Sequence, residues 1–549
     1  MKKIFLSIVV FFSVLYVFAQ SKPDIIWSKT MGGSSYEAFG YQVFDRAALA
    51  LSSDEKSLYI GSSTASYDGF VKDSIGGLNG WLIKIDAKTG DTLWTYVPGG
   101  SGFDKICDVT ATKDGGVIVC GSSNSVDGDF ENKGLHLNLS MPDYDYTDGF
   151  IAKFSASGNL EWTKMYGGQP FIEETSVGTD ELYKIINTSD GGYMAAGYTY
   201  SATDDIPIDL ERFRGGWLLK VDKDGKIQHS DKFTGPNHNE NNGNNLVDIV
   251  EAAPNLYYAL GTQSYIIENP GTLEFQDFIW VIKTDGKVIS EQKEYGNSVA
   301  SNFPSGITLD DSGNIFASGI AQINRGDVSM SYGGYDFWVM KMNEDLDLND
   351  EHTYGGTEGE YPYAMITDNK GHYLIPGYTN SIDYDSGVEV GGSDFWAVFI
   401  NEDMDTLQTY RFGGTSLDQL NDAVFTKDGK ILYVSGLTTS NDGIIEQSFG
   451  KEDIWVSAIN QDVTLSVESE IFEKHDLTIY PNPSKGIFTV KNRKNNTYSI
   501  SDITGRTIQK GKLNSEKQVF NLQNQEKGIY FIEINDNNLQ KLKSKIVIN

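Results

Sequence analysis

The chain has 549 residues, 39% hydrophobic and 22% charged, with 58 glycines, 13 prolines and 12% aromatics. Such a mix folds, exceeds one ordinary core, and favours short strands joined by tight turns over helix bundles or disorder. Lys and Arg number 44 against 76 Asp and Glu, a net charge of −32 that repels phosphate backbones and argues against nucleic acid as a partner.

Lys2 and Lys3 precede an apolar run from Ile4 to Phe18, the length of a signal-peptide core and short for a spanning helix. Val17-Phe18-Ala19 supplies a V-x-A pattern, which predicts cleavage after Ala19 or Gln20. A retained N-terminal anchor is the other reading. No further apolar run approaches about 18 residues, so the mature chain is expected to be soluble, without a transmembrane segment, and outside the cytoplasm.

Cys107 and Cys120 are the only cysteines, too few for a disulfide-built scaffold. They flank the turn signal TKDGG at 112–116. A hairpin centred between Lys113 and Asp114 sets them opposite, within disulfide reach, and export permits oxidation. A shift of one residue separates them and leaves two buried thiols.

One strand signature, D-x-W followed by apolar residues and often Lys, recurs at Trp81, Phe150, Trp217, Trp280, Trp338, Trp396 and Trp455. The intervals are 69, 67, 63, 58, 58 and 59 residues. Each copy is followed by a turn and a strand ending in glycine, as in YGG at Gly167 and Gly355. A third strand and a DGG-type turn come next, then a fourth strand ending G-x-[ST], as at Gly61, Gly197 and Gly377. Four short antiparallel strands per unit describe a propeller blade, and seven copies predict a seven-bladed β-propeller over residues 21–460. IIWSKTMGG at 25–33 matches the last strand of a unit, and the seventh unit stops at Asn460 without one. The N-terminal strand is therefore expected to complete the last blade and close the ring.

A Trp present in six of seven units is expected in the core between blades, and the recurring acids Asp148, Asp336, Asp394 and Asp453 in turns or between blades. IDAKTGDTLW at 85–94 resembles the tryptophan-docking repeat of quinoprotein dehydrogenases, but later copies keep only fragments of it. It is read as blade packing, without a quinone.

Strand connections alternate between the two faces, so glycine turns and the long loops (66–79, 125–148, 201–215, 264–277, 323–335, 381–393 and 440–452) share one of them. Function tends to sit on such loops. Asp127, Asp129 and Glu131, Asp204, Asp205 and Asp209, and Asp383, Asp385 and Glu389 offer closely spaced oxygen ligands suited to calcium, although none fits the EF-hand pattern. The competing reading is solvated turns. Tyr67, Phe70, Tyr144, Tyr146, Tyr265, Tyr332 and Tyr384 lie near the same loops and offer stacking surfaces for sugar. The six histidines form no HExxH, no G-x-S-x-G elbow or phosphate loop is present, and no catalytic residue is assigned.

Residues 461–475 read as a linker, after which composition changes. Residues 476–549 hold 12 Lys and Arg against 6 Asp and Glu, whereas 21–475 hold 30 against 70. The tail reads as about seven short strands, a small antiparallel β-sandwich. IYPNPSKGIFTV (479–490), SDITGRTIQKG (501–511), LQNQEKGIYFIEI (522–534) and KSKIVIN (543–549) resemble the type A C-terminal sorting domain of the type IX secretion system of Bacteroidota. Tyr480, Pro481, Asn482, Pro483, Gly486, Asp502, Gly505, Arg506, Gly528 and Tyr530 carry the resemblance in order. It implies export to the outer surface or beyond, with the secretion machinery and its sortase as partners and a cut in or near 461–475. The blade units likewise look like propeller repeats of secreted proteins from such bacteria.

The function expected is a surface or secreted propeller that binds polysaccharide or another surface protein. The alternative is a hydrolase of extracellular polymer using acids on the long-loop face. A deep central pocket with convergent acids favours the enzyme, and an aromatic-lined face favours binding.

Overall fold

The computed structural model describes residues 23–38, 46–72, 74, 77–131, 146–169, 179–206, 214–235, 243–269, 272–297, 300–383, 385, 391–461, 478–480, 484–491, 497–502, 506–513, 515, 517–525, 527–535 and 541–548. Signal cleavage at Ala19 and Gln20 and the linker beyond Gln461 lie outside these residues, as do Asp209 and Glu389. The chain divides into two compact units, Met1–Thr464 and Leu465–Asn549.

The first unit is an all-β propeller, with seven antiparallel sheets among the described residues. Sheet one holds Ala48–Leu51, Ser57–Thr64, Asn79–Asp86 and Thr92–Tyr96, and sheet two holds Asp104–Ala111, Val117–Ser123, Asp148–Phe154 and Leu160–Tyr166. Sheet three holds Asp180–Asn187, Tyr193–Thr199, Gly215–Val221 and Ile227–Phe233, and sheet four Asn244–Ala253, Leu256–Asn269, Thr272–Thr284 and Ile289–Tyr295. Sheet five holds Pro304–Leu309, Ile315–Ala321, Asp336–Met342 and Leu348–Tyr354. In sheet six the first strand is split into Glu360–Pro362 and Ile366–Thr367, followed by His372–Thr379, Asp394–Asn401 and Thr406–Phe412. Sheet seven holds Asp418–Phe425, Ile431–Thr438 and Asp453–Asn460, and its fourth strand is Asp24–Met31 from the N-terminus. The first strands of consecutive sheets touch one another around the ring, the seventh meeting the first, so they line the axis.

Six tryptophans, Trp81, Trp217, Trp280, Trp338, Trp396 and Trp455, are fully buried. Each packs on the preceding sheet: Trp217 sits with Ile118 and Ile151, and Trp81 with Ile454 and Val456 of sheet seven. A second docking runs the other way, from the outer strands of sheets seven, one and two to the next sheet's turn glycine. Trp27 lies against Gly90, Trp94 against Gly158 and Trp162 against Gly225, with φ of 73°, 86° and 72° at the three glycines. Trp94 belongs to IDAKTGDTLW and donates Nε1–H to Ala156 O at 3.2 Å, which is blade packing.

The cysteine pairing is corrected by strand register. Cys120 stands opposite Asp108, and Cys107 falls in the bulge between Ile106 and Asp108. The turn is centred on Asp114 rather than between Lys113 and Asp114, and both cysteines are buried and not joined in a disulfide.

Among its described residues the second unit has two sheets, Thr478–Tyr480 with Ile487–Lys491 and Lys517–Asn521, and Thr507–Lys512 with Thr497–Asp502, Gly528–Asn535 and Lys541–Ile548. Phe488, Ile500, Phe520, Tyr530, Ile532 and Ile546 form its core. Tyr480 ends the first strand, Gly486 turns the chain with φ of 87°, and Gly528 opens a strand. Asp502 Oδ2 and Arg506 Nε pair at 2.9 Å. Pro481, Asn482, Pro483 and Gly505 lie outside the described residues.

Candidate functional site: the axial mouth

Glycine turns and long loops share one face of the propeller. Backbone N–H groups of Phe70, Asp129, Asp205, Asp327, Asp385 and Ile444 donate to the glycine-turn carbonyls of Gly32, Gly99, Gly167, Gly296, Gly355 and Gly413. The acids expected to bind calcium are engaged there. Asp127 Oδ1 accepts from Ser101 N–H at 2.7 Å, and Asp129 accepts from Tyr96 Oη–H at 3.0 Å and Gly99 N–H at 3.3 Å. Asp383 accepts from Thr357 N–H and Oγ1–H at 2.9 and 3.0 Å, and Glu131 ends a short 3-10 turn. Asp205 Oδ2 accepts from Gly167 N–H at 3.4 Å, and burial pushes the half-buried Asp385 carboxyl above its ordinary range. These carboxylates clasp turns, and among the described residues no three metal-ligating side chains converge.

Below the clasp lies a second repeating acid. Glu37, Asp104, Asp180, Glu360 and Asp418 accept from the turn N–H groups of Gly33, Gly100, Gly168, Gly356 and Gly414. Four of them face an acid that opens the third strand: Asp453, Asp148, Asp336 and Asp394. Each pair flanks the Cα of a turn glycine, so close approach explains these glycines. Burial and the neighbouring charge of Asp453 lift Glu37 to about 7, and burial lifts Asp336 to about 6. Asp394 differs: Arg411 Nη2 lies 2.6 Å from its Oδ2, both fully buried.

The centre of the ring holds a charge cluster that repeat counting missed. Arg46 donates Nε–H to Cys107 O of sheet two and Nη1–H to Tyr363 O of sheet six, both at 3.4 Å. Its Nη2 lies 3.6 Å from Asp108 Oδ1, and Lys184 Nζ lies 3.6 Å from Asp108 Oδ1 and 3.9 Å from Asp248 Oδ1. Burial alone would lower both cations, but Asp108, Asp248 and Asp422 hold them above their ordinary values. The acids also bind backbone of the next sheet: Asp108 takes Ile185 N–H, Asp248 takes Ile307 N–H and Asp422 takes Leu49 N–H, at 3.0, 2.9 and 2.9 Å. The sequence signal was an Asp or Lys two residues beyond the first-strand apolar residue that pairs with the G-x-[ST] glycine, at 108, 184, 248 and 422.

Above this cluster two sheets break the repeat in the same way. Tyr183 occupies the bulge and Tyr363 the equivalent position, where the first strand of sheet six is interrupted, and Tyr198 and Tyr378 follow the G-x-[ST] glycine. Ring centroids are 5.6 Å apart for Tyr183–Tyr198 and 6.1 Å for Tyr363–Tyr378. The bulge position is Cys107, Val247, Ser305 or Asn421 in four other sheets. Around the first pair stand Tyr200, Arg214 and the Lys105–Glu181 ion pair at 2.8 Å. Around the second, Tyr361 stacks on Tyr378 at 4.8 Å, Tyr335 lies 5.5 Å from Tyr361, and Tyr363 Oη–H donates to Gln419 at 3.1 Å. A residue that every blade needs is structural. Tyrosines that two sheets alone carry at an otherwise variable position need another explanation.

Of the aromatics named from the loops, Tyr67 is 62% exposed, Phe70 packs on Phe449, Tyr265 bonds Glu294, and Tyr146 is buried. Tyr332 donates its N–H to Asp336, and Tyr144 and Tyr384 lie outside the described residues.

Residues 478–549 match the family described as secretion system C-terminal sorting domain. The protein is accordingly exported to the cell surface or beyond by the type IX route, with the secretion machinery as a partner. No helix among the described residues is long and apolar enough to cross a membrane. An endo-acting ulvan lyase of Formosa agariphila is 25% identical over 256 residues, covering 45% of this chain and 42% of that protein. The chain therefore spans under half the length of this curated relative. Among solved structures, an ulvan lyase of a new polysaccharide lyase family has a TM-score of 0.44 at 10% identity, over 79% of this chain and 96% of that one. PorZ of Porphyromonas gingivalis, a surface component of the type IX secretion system, has a TM-score of 0.36 at 13% identity, over 92% and 59%.

Proposed function

We propose that the propeller is a surface or secreted binding module for extracellular polysaccharide, which it grips at the axial mouth on the glycine-turn face. The observation that carries this reading is the repeat-breaking tyrosine site of sheet six, where Tyr361, Tyr363 and Tyr378 are half-buried, whereas its counterpart Tyr183–Tyr198 in sheet three is buried. Tyrosine faces stack on sugar rings while their hydroxyls remain available for hydrogen bonds, with little rotamer entropy to lose. The relative named for ulvan lysis supports polysaccharide as the ligand class. Binding is favoured over hydrolysis because the axial acids Asp108, Asp248 and Asp422 are committed. They neutralise Arg46 and Lys184 and hold backbone N–H groups, which leaves none poised as an acid or base.

A polysaccharide panel incubated with the full-length secreted chain tests this. Retention of at least one polysaccharide without shortening is expected, with loss of about tenfold or more in affinity for Tyr363→Ala at unchanged melting temperature. Release of shortened products would replace the reading with catalysis, and retention of none would end it.

A further inference from the structure

The two tyrosine sites differ in burial and in charge: Tyr183 and Tyr198 are buried, whereas Tyr335, Tyr361 and Tyr378 are half-buried. In sheet three the site is already filled by the protein's own cations. The Arg214 guanidinium lies 5.3 Å from the Tyr198 ring centroid, and Lys105 Nζ lies 6.0 Å from that of Tyr183. In sheet six the same repeat positions carry no charge. Ser393 stands three residues before Trp396, as Arg214 stands three before Trp217, and Phe303 follows Asn302 as Lys105 follows Asp104. Among the described residues no cation lies over Tyr335, Tyr361 or Tyr378, all of them half-buried. Tyr361 and Tyr378 stack with centroids 4.8 Å and ring planes 14° apart, and Tyr335 lies 5.5 Å from Tyr361, an aromatic cluster beside the Glu360 carboxylate.

We infer that the Tyr335–Tyr361–Tyr378 face of sheet six binds the ammonium group of a polysaccharide carrying free amino sugars, in the place that Arg214 fills in sheet three. This rests on the polysaccharide reading above and names the ligand within it. Aromatic faces attract cations through the ring quadrupole. The field of the molecule acts in the same direction, since residues 21–475 carry 70 acids against 30 bases. A polyanionic glycan would meet repulsion over the same surface.

The test compares a chitosan oligosaccharide, whose amines are protonated at mildly acidic pH, with the N-acetylated chitin oligosaccharide of equal length, titrated calorimetrically into the full-length chain. The ammonium form is expected to bind about tenfold tighter. Tyr378→Ala should erase that preference, and Tyr378→Phe, which keeps the ring, should retain it. Ser393→Arg supplies the cation that sheet three carries and should block the site while leaving the melting temperature intact. Equal affinity for the two oligosaccharides, or an unaffected Ser393→Arg variant, overturns the inference. Tighter binding of the acetylated form overturns it and leaves the polysaccharide reading standing. Binding of neither, alongside an empty panel, ends both. Binding of oligolysine but neither oligosaccharide overturns the glycan assignment.

Discussion

Single side chains in this propeller are held by demands that repeat in each sheet. Gly167 illustrates one of them: a Cβ there would lie 2.6 Å from both Asp148 Oδ1 and Asp180 Oδ2. Gly167→Ala should destabilise the protein by about 1–3 kcal/mol in denaturant unfolding, because two buried carboxyls must move. Arg46 is the opposite case, one residue that serves the whole axis. Arg46→Met leaves Asp108, Asp248 and Asp422 with Lys184 as their only cation among the described residues, at a cost of about 3–5 kcal/mol. An unchanged unfolding midpoint would show that the axis tolerates the loss. The thiols give a third check. Cys107 and Cys120 should react with an alkylating reagent only after unfolding, and intact mass should be the same with and without reductant.

At the scale of strands and turns, the paired acids set a pH dependence. Glu37 and Asp453 are fully buried, and Glu37 Oε2 and Asp453 Oδ1 meet no donor. Both flank Gly32, where the N-terminal segment meets sheet seven, so one shared proton relieves their repulsion. A carboxyl whose folded pKa is raised binds more protons in the native state than in the unfolded chain. Its contribution is present at low pH and is lost as pH rises through the folded value. With Glu37 at about 7 and Asp336 at about 6, the melting temperature should fall between about pH 5 and pH 8. Glu37→Gln should flatten that slope. Asp114 and Asp190, held at about 2 by their hydroxyl, backbone and lysine partners despite some burial, act oppositely and erode stability only at stronger acidity. Stability that rises steadily toward pH 8 would contradict the shared protons.

For the molecule as a whole, closure and export are separable. Asp24–Met31 pairs with residues 454–460 of the last strand, with one register shift between Ile25 and Trp27, and Trp455 donates Nε1–H to Ser28 Oγ at 2.7 Å. Disrupting that strand with Lys29→Pro removes a ladder donor and should lower the melting temperature of the propeller without touching the sorting residues. Deleting residues 476–549 should do the reverse: the protein stays folded but is retained by the cell, as fractionation and blotting would show. Secretion of the truncated chain at normal levels would refute the dependence on its C-terminal module.

Strand number, turn positions and the closing N-terminal strand were legible because a repeat encodes local rules: turn glycines, D-x-W openings and alternating apolar residues are short-range, and seven copies reinforce one another. The sorting module was legible for a related reason, since its motifs run in order along contiguous chain. What sits on the axis was not legible. Arg46 meets Tyr363 across 317 residues of sequence, and Tyr183 and Tyr363 become comparable only once first strands from all sheets face a common centre. A one-residue hairpin shift likewise separated Cys107 from Cys120, because register depends on where a bulge falls rather than on composition. Sequence by itself determined the ring and its destination; tertiary structure alone decided which side chains converge at the mouth, because convergence is a property of closure and not of any local segment.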